Sequence, residues 1–303
     1  MRIASSQFQA TMTRSLQINQ GQTTKLTEQM ASGQRILLPS DDPIGYVRQS
    51  RLNREESMVG QYRANISAVR NRMFTDEKYL SSMVADMQEG RDLLVWSSDG
   101  GNTSKDMNSM VNSVIALRDS LFYTANTRDQ EGRYIFSGTA SGSPALTFTS
   151  GAAMGSRYTY TGDVLSQTVI VGNGITQAVN VNVKDLEILL NQMDAAAATL
   201  NLPSVNPNAP AVAALMKATL DGFDDALSLI SVKIANSGSA QKILTTLDSN
   251  HENVSLSNKM ALTKIEQLDY ALAATDLNGY TTALQSTYKA YAKIGTLSLF
   301  DVI

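Results

Sequence analysis

Leu52–Leu94 reads LNREESMVGQYRANISAVRNRMFTDEKYLSSMVADMQEGRDLL. Leu52, Val59, Tyr62, Ile66, Val69, Met73, Leu80, Met83, Met87 and Leu94 fall on one alternating three-four spacing, interrupted only at Glu55, Asp76 and Gly90. That spacing lays the apolar side chains along one side of a helix, as in the seam of a coiled coil. The opposite face carries Arg48, Arg51, Arg54, Glu56, Arg63, Arg70, Arg72, Glu77 and Arg91, the pattern of a solvated surface rather than a phosphate track. Each seam residue buried against a partner contributes about 1.5–3 kcal/mol, enough in sum to offset much of the ordering entropy of a long helix. Upstream, Ser40-Asp41-Asp42-Pro43 supplies its start, with Asp42 as N-cap and Pro43 in the first turn.

Downstream, Ser97 to Thr103 contains Asp99-Gly100-Gly101-Asn102 and reads as a turn. A further helix follows with Met107, Met110, Val114, Leu117 and Leu121 on a second seam, so the two form an antiparallel hairpin. At Gly132 the period changes. Tyr134-Ile135-Phe136, Tyr158-Thr159-Tyr160, Thr168-Val169-Ile170-Val171 and Val179 to Val183 are β-rich, and Gly172-Asn173-Gly174 is a hairpin turn signal. Helical pattern resumes at Lys184, and Pro203, Pro207 and Pro210 mark a linker. A helix over about 211–236 carries Leu215, Leu220, Phe223, Leu227, Ile230 and Ile234; after Gly238 another carries Leu247, Val254, Ile265, Leu268 and Leu272. Its register slips by one residue around Thr275 and Asp276, which tilts or breaks a coiled coil.

The two ends differ from this middle in charge. Met1 to Ile36 holds only Arg2, Arg14, Lys25, Glu28 and Arg35 as ionisable residues, and Leu277 to Ile303 only Lys289, Lys293 and Asp301. Yet Leu277, Tyr280, Leu284, Thr287, Tyr291 and Ile294 keep helical three-four spacing, and Phe8, Met12, Leu16, Leu26 and Met30 share related faces of an N-terminal helix over residues 4–34. Water-facing helices show a charged outer face, so these read as helices covered by other subunits, with too little in one monomer to cover them and little order before assembly. The expected fold is mainly α: a long coiled-coil-like helical rod formed by the N- and C-terminal regions, with a small inserted β-rich domain of about 137–184. The expected domains are 1–36 plus 275–303 for inner assembly, 40–136 plus 211–274 for the rod, and 137–210 for the β insertion with its following helix and Pro-rich linker.

Composition removes several functions. Without cysteine no disulfide, thiolate metal site or thiol nucleophile forms, and one histidine, His251, excludes histidine-cluster metal sites. A net charge of -3 and no Lys/Arg run longer than two residues disfavour nucleic acid. No apolar run approaches the roughly eighteen residues of a membrane span, and the N-terminus shows no cleavable signal pattern. Asp41-Asp42 fits capping better than a cation site, Asp224-Asp225 point apart on a helix, and Gly151 to Gly155 lacks the Lys and Ser/Thr of a phosphate loop. His251, beside Glu252, reads as a packing histidine, and the Met-rich seam (Met73, Met83, Met87, Met107, Met110) as adaptable packing. No catalytic constellation, metal site or cofactor site emerges.

Several motifs carry a resemblance. Met1-Arg2-Ile3 before a Ser/Gln-rich helix, Ser32-Gly33-Gln34-Arg35-Ile36, Ser40-Asp41-Asp42-Pro43-Ile44-Gly45, Gly132-Arg133-Tyr134-Ile135-Phe136-Ser137-Gly138-Thr139 and Tyr160-Thr161-Gly162-Asp163 resemble the flagellin superfamily. The ending Leu297-Ser298-Leu299-Phe300-Asp301 is similar to that of its hook–filament junction members rather than of flagellin proper. The likeness covers about 1–140 and 210–303, and Val183-Lys184-Asp185-Leu186 departs from the family's Gly-Asp turn. It implies a non-enzymatic, extracellular structural protein of the bacterial flagellum, exported by the type III route without a cleaved signal. The implied partners are hook-associated protein 1, flagellin, further copies in a ring, and an export chaperone on the C-terminal region. The candidate assembly residues are then Phe8, Met12, Leu16, Leu26, Leu277, Tyr280, Leu284, Tyr291, Ile294, Leu297, Leu299 and Phe300. Two other readings compete: a filament-forming flagellin, and a glycan-binding or enzymatic protein on a flagellin-like frame, the latter opposed by Asp163 being the sole acid within 137–184.

Overall fold

A computed structural model describes residues 2–98, 101–203, 205–206 and 209–295. Among these are six helices and four short strands: α1 (Arg2–Ser32), α2 (Pro43–Ser97), α3 (Ser104–Ala125), β1 (Leu146–Phe148), β2 (Tyr158–Tyr160), β3 (Thr168–Gly172), β4 (Ile175–Ala178), α4 (Leu186–Leu200), α5 (Pro210–Glu266) and α6 (Tyr270–Gly295). The fold is mainly α with a small β insertion. Contacts divide it into one unit of Met1–Val59 with Asn253–Ile303 and another of Gly60–Glu252.

In the Gly60–Glu252 unit the seam behaves as its spacing demands. Ile66, Val69, Met73, Leu80, Met83, Met87 and Leu94 of α2 are buried, as are Met107, Met110, Val114, Leu117 and Leu121 of α3. Asp99 and Gly100 of the intervening turn lie outside the described residues. Thr103 caps α3 in a capping box with Asp106, satisfying the first free N–H groups of the helix. The main core joins α2 and α3 to β1, β2, α4 and α5 through Phe136, Leu146, Tyr158, Leu189, Met193 and Phe223. Asp194 of α4, buried among these, accepts from Arg118 Nη1 at 2.7 Å and lies 3.5 Å from Arg157 Nη1. Two arginines of the α2 charged face, expected to be solvated, instead bridge to α5: Arg63 to Asp248 at 2.9 Å and Arg91 to Asp224 at 2.6 Å.

The β segment corrects two expected strands. β1 pairs antiparallel with β2, and β3 with β4 across the Gly172-Asn173-Gly174 turn, where Gly174 takes the left-handed φ of 71° that favours glycine. Tyr134-Ile135-Phe136, however, makes only an isolated bridge, between Tyr134 and Arg128, with Tyr134 N–H donating to Ser141 O and Ile135 N–H to Thr127 O. Val179 to Val183 makes an isolated bridge between Asn182 and Ser137. Both segments are apolar because they cover the core (Ile135, Phe136, Val179 and Val183 are buried), and burial leaves the same alternation as pairing does.

The β3–β4 hairpin is held by Val171 and Val179 packing on Ile66, Val69, Met73 and Leu244, and by two side chains reaching its backbone. Asn65 Nδ2 donates to Ile170 O at 2.8 Å, and His251 Nε2 lies 2.9 Å from Val171 O with its ring centroid 5.5 Å from that of Tyr62. His251 is thus a packing residue with a specific task. His251→Ala is expected to lower stability in urea unfolding by about 1–2 kcal/mol, the range for one lost hydrogen bond with its partner carbonyl left half-buried. Unchanged stability would mean that water replaces the ring without cost.

Two helix boundaries also differ from expectation. Gly238 does not separate two helices; α5 runs through it for 57 residues. A helical glycine costs about 1 kcal/mol, less than the burial of Ile230 and Leu244 on either side contributes. The break near the C-terminal end falls at Gln267–Asp269, not at Thr275-Asp276. There Asp269 Oδ1 accepts from the N–H groups of Ala271 and Leu272 and starts α6. Ile265, Leu268 and Leu272 keep their spacing across the break, so the period carries no trace of it.

Candidate assembly interface

The site is built from the unit that contains both ends. α1 stops where Gly33, at φ 73°, closes a left-handed cap by donating to Gln29 O at 2.8 Å. The segment after it pairs with the α5–α6 connector: Arg35 N–H donates to Glu266 O at 2.7 Å, and Leu268 N–H to Gly33 O at 3.1 Å. Tyr270 Oη reaches Met30 O at 3.2 Å. From this ladder α6 runs back antiparallel along α1. The expectation that a single chain has too little to lay against its ends is therefore corrected in part: α1 and α6 cover each other, because the ladder starts them at one point with their seams facing.

The cover is partial. Met12, Leu16 and Leu26 on α1, and Leu277, Tyr280 and Leu284 on α6, are half-buried. Phe8 is 39% exposed and Tyr291 43% exposed. The side chain of Ile294, and Leu297, Leu299 and Phe300 altogether, lie outside the described residues. Exposed Ile18, Tyr270 and Tyr288, which were not singled out from the sequence, and Leu272, which was read as a seam residue of the rod, add to the apolar surface of the two helices. Neither were Ile44, Tyr46 and Val47 at the start of α2, also exposed. Their signal was present in Pro43-Ile44-Gly45-Tyr46-Val47, a charge-free first turn, but it precedes the seam and so escapes a reading based on period.

The two carboxylates between α1 and α2 are both engaged within the chain. Asp42 Oδ1 accepts from Gly45 N–H at 2.8 Å, capping α2, and its Oδ2 meets Arg35 Nη2 at 3.0 Å; these partners hold its carboxyl below the usual carboxylate range. Asp41 takes Lys25 Nζ at 2.7 Å and the N–H groups of Leu37 and Leu38, and is lowered likewise, chiefly by Lys25. Each oxygen of both carboxylates has a partner within the chain, the pattern of capping and ion pairing. Among the described residues there is no group of three or more His, Cys, Asp or Glu side chains able to hold a metal ion. No described helix is long and apolar enough to cross a membrane. What the arrangement offers is a pair of weakly charged helices with apolar side chains left over.

Comparison with known proteins places this geometry. The family model of the bacterial flagellin N-terminal helical region matches residues 3–141. Flagellar hook-associated protein 3 of Escherichia coli is 25% identical over 323 residues, covering 100% of this chain and 99% of the relative. That of Salmonella typhimurium is 26% identical over 300 residues, covering 94% of each. Residues 3–141 thus carry a flagellin-type N-terminal helical region. Among solved structures, a flagellar hook-associated protein from Vibrio parahaemolyticus is similar at 28% identity with a TM-score of 0.68, over 75% of this chain and 100% of that one. The likeness to these two curated relatives thus runs nearly their full length, through the β insertion as well as the helical ends.

Proposed function

We propose that this chain is a structural adaptor of the bacterial flagellum that joins hook to filament. The carrying observation is the end-to-end likeness to hook-associated protein 3, together with terminal helices that pair yet keep apolar side chains exposed. It works by packing and not by catalysis. Residues 1–36 with 275–303 form its inner assembly part, 40–136 with 211–274 its rod, and 137–210 the inserted β part. Copies close into a ring, meeting hook-associated protein 1 on one side and flagellin on the other. The subunits travel through the flagellar type III apparatus, an export chaperone covering the C-terminal region first, and function outside the cell.

The assembly residues act by desolvation. Phe8, Met12, Leu16, Leu26, Leu277, Tyr280, Leu284 and Tyr291 lose their remaining water only when neighbours arrive, and Ile294, Leu297, Leu299 and Phe300 are assigned to the same interface. A charge introduced at an exposed one is tolerated by the free chain and excluded from the assembly. Tyr291→Asp and Phe8→Asp are therefore expected to abolish co-assembly with hook-associated protein 1 and flagellin, seen by sedimentation and electron microscopy, while melting of the free chain stays within about 0.5 kcal/mol of the parent. Normal assembly of both variants would remove these side chains from the interface. Long filaments growing from the purified chain alone would replace the adaptor by a filament subunit.

A further inference from the structure

Two polar residues stand where the packing of α2 on α5 calls for apolar ones. Asp76 occupies the seam position between Met73 and Leu80, and Ser237 the position on α5 between Ile230 and Leu244. They are 2% and 7% exposed, and neither Asp76 Oδ2 nor Ser237 Oγ has a hydrogen-bond partner. The two turns lie side by side: Gln241 Nε2 donates to Glu77 Oε2 at 2.9 Å, and Met73, Ser237 and Ala240 line one cavity of about 240 Å³. Gly238 follows Ser237 in α5, with open space where a Cβ would stand.

The hydrophobic packing divides at this level. On one side Leu80, Met83 and Met87 join Phe223 and Ile230 in the main core. On the other, Ile66, Val69 and Met73 join Leu244 in a second, separate cluster. Between them lies a level where Asp76 and Ser237 belong to neither cluster and leave two polar atoms unanswered, the composition that makes local opening cheap.

We propose that the Asp76–Ser237 layer is a proton-gated opening point in the α2–α5 pair: it stays shut while Asp76 is neutral and admits water when Asp76 is charged, the clusters on either side holding. The charged groups around it do not answer the carboxyl. On α2 these are Arg72, whose Nη1 contacts Gln167 Oε1 at 3.3 Å, and Glu77, held by Gln241. The segment after α3 contributes Arg128, stacked 4.4 Å over the Tyr134 ring, and Arg133, bound to Asp129 and Glu131. From α5 comes Lys233, held by Asn182 O and Asp185. Burial therefore outweighs the attraction of Arg72, and the carboxyl is pushed up to about 7.

In an opened layer the carboxyl returns to its ordinary range, so the opening equilibrium grows about tenfold between pH 6 and pH 8. Hydrogen exchange on the full chain at both pH values, corrected for the intrinsic chemistry of exchange, reads this directly. Amides of 72–80 and 233–241 are expected to lose about tenfold in protection from pH 6 to pH 8, while those of 83–94 keep theirs. In Asp76→Asn, which cannot titrate, the difference between the two pH values disappears. Equal protection at both pH values in the parent chain, or an undiminished difference in the Asn variant, overturns the proposal.

Discussion

Asp194→Ala lowers the unfolding free energy of the chain by about 3–5 kcal/mol, the loss expected when one partner of a buried ion pair is removed. The Asp194 side chain is 5% exposed and that of Arg118, 2.7 Å away, 15% exposed. Arg157 approaches the second oxygen at 3.5 Å, and the Arg118 guanidinium also faces the Tyr158 ring. The carboxylate thus ties α3, α4 and the strand-bearing insertion together, and without it Arg118 keeps only the more exposed Asp119. Urea unfolding followed by circular dichroism measures the loss. A charge-free replacement of both partners, Asp194→Leu with Arg118→Met, is expected to recover much of it, since the penalty lies in the stranded charge rather than in the absence of the pair. A single substitution costing under 1 kcal/mol would mean that the pair is hydrated and only as valuable as a surface bridge.

Asp76→Leu works in the opposite direction. Here the buried carboxyl has no partner to lose, and a leucine would continue the seam from Met73 to Leu80. Stability at pH 8 is expected to rise by about 2–4 kcal/mol. The pH dependence fixes the sign. The folded-state carboxyl titrates at about 7 against an ordinary 3.8, so the folded chain binds the extra proton throughout that interval. Stability contributed by neutral Asp76 is therefore complete below about pH 4, declines as pH rises towards 7, and is fully lost above it. The leucine variant should lack this decline, so the gain over the parent should shrink towards acid pH. A gain of equal size at pH 4.5 and pH 8 would show that the leucine acts by packing alone and that Asp76 is hydrated.

Together, Asp194 and Asp76 show how much of the molecule was legible in its sequence. The α2 and α3 seams could be read residue by residue, because burial along a long helix imposes a period that nothing else produces. Asp76 was visible as an interruption of that period, but whether an interrupting acid is paired or stranded depends on a neighbour more than 150 positions away in α5. Asp194 gave no signal: it sits in an alanine-rich helix, and its partners Arg118 and Arg157 come from a different helix and from the β segment. The strands were read half correctly, since Tyr134-Ile135-Phe136 and Val179 to Val183 are apolar for the sake of cover rather than pairing. At the candidate interface, spacing found the α1 and α6 seams. It could not show that they face each other, because the ladder that aligns them is made of backbone groups, which every residue carries.

That ladder has a consequence in time. Residues 33–35 and 266–268 form one joint from stretches that enter the world far apart, so a chain appearing N-terminus first carries α1 unmated until α6 has followed. Until then the half-joint has nothing to hold, and the earliest segment to arrive is among the last to settle.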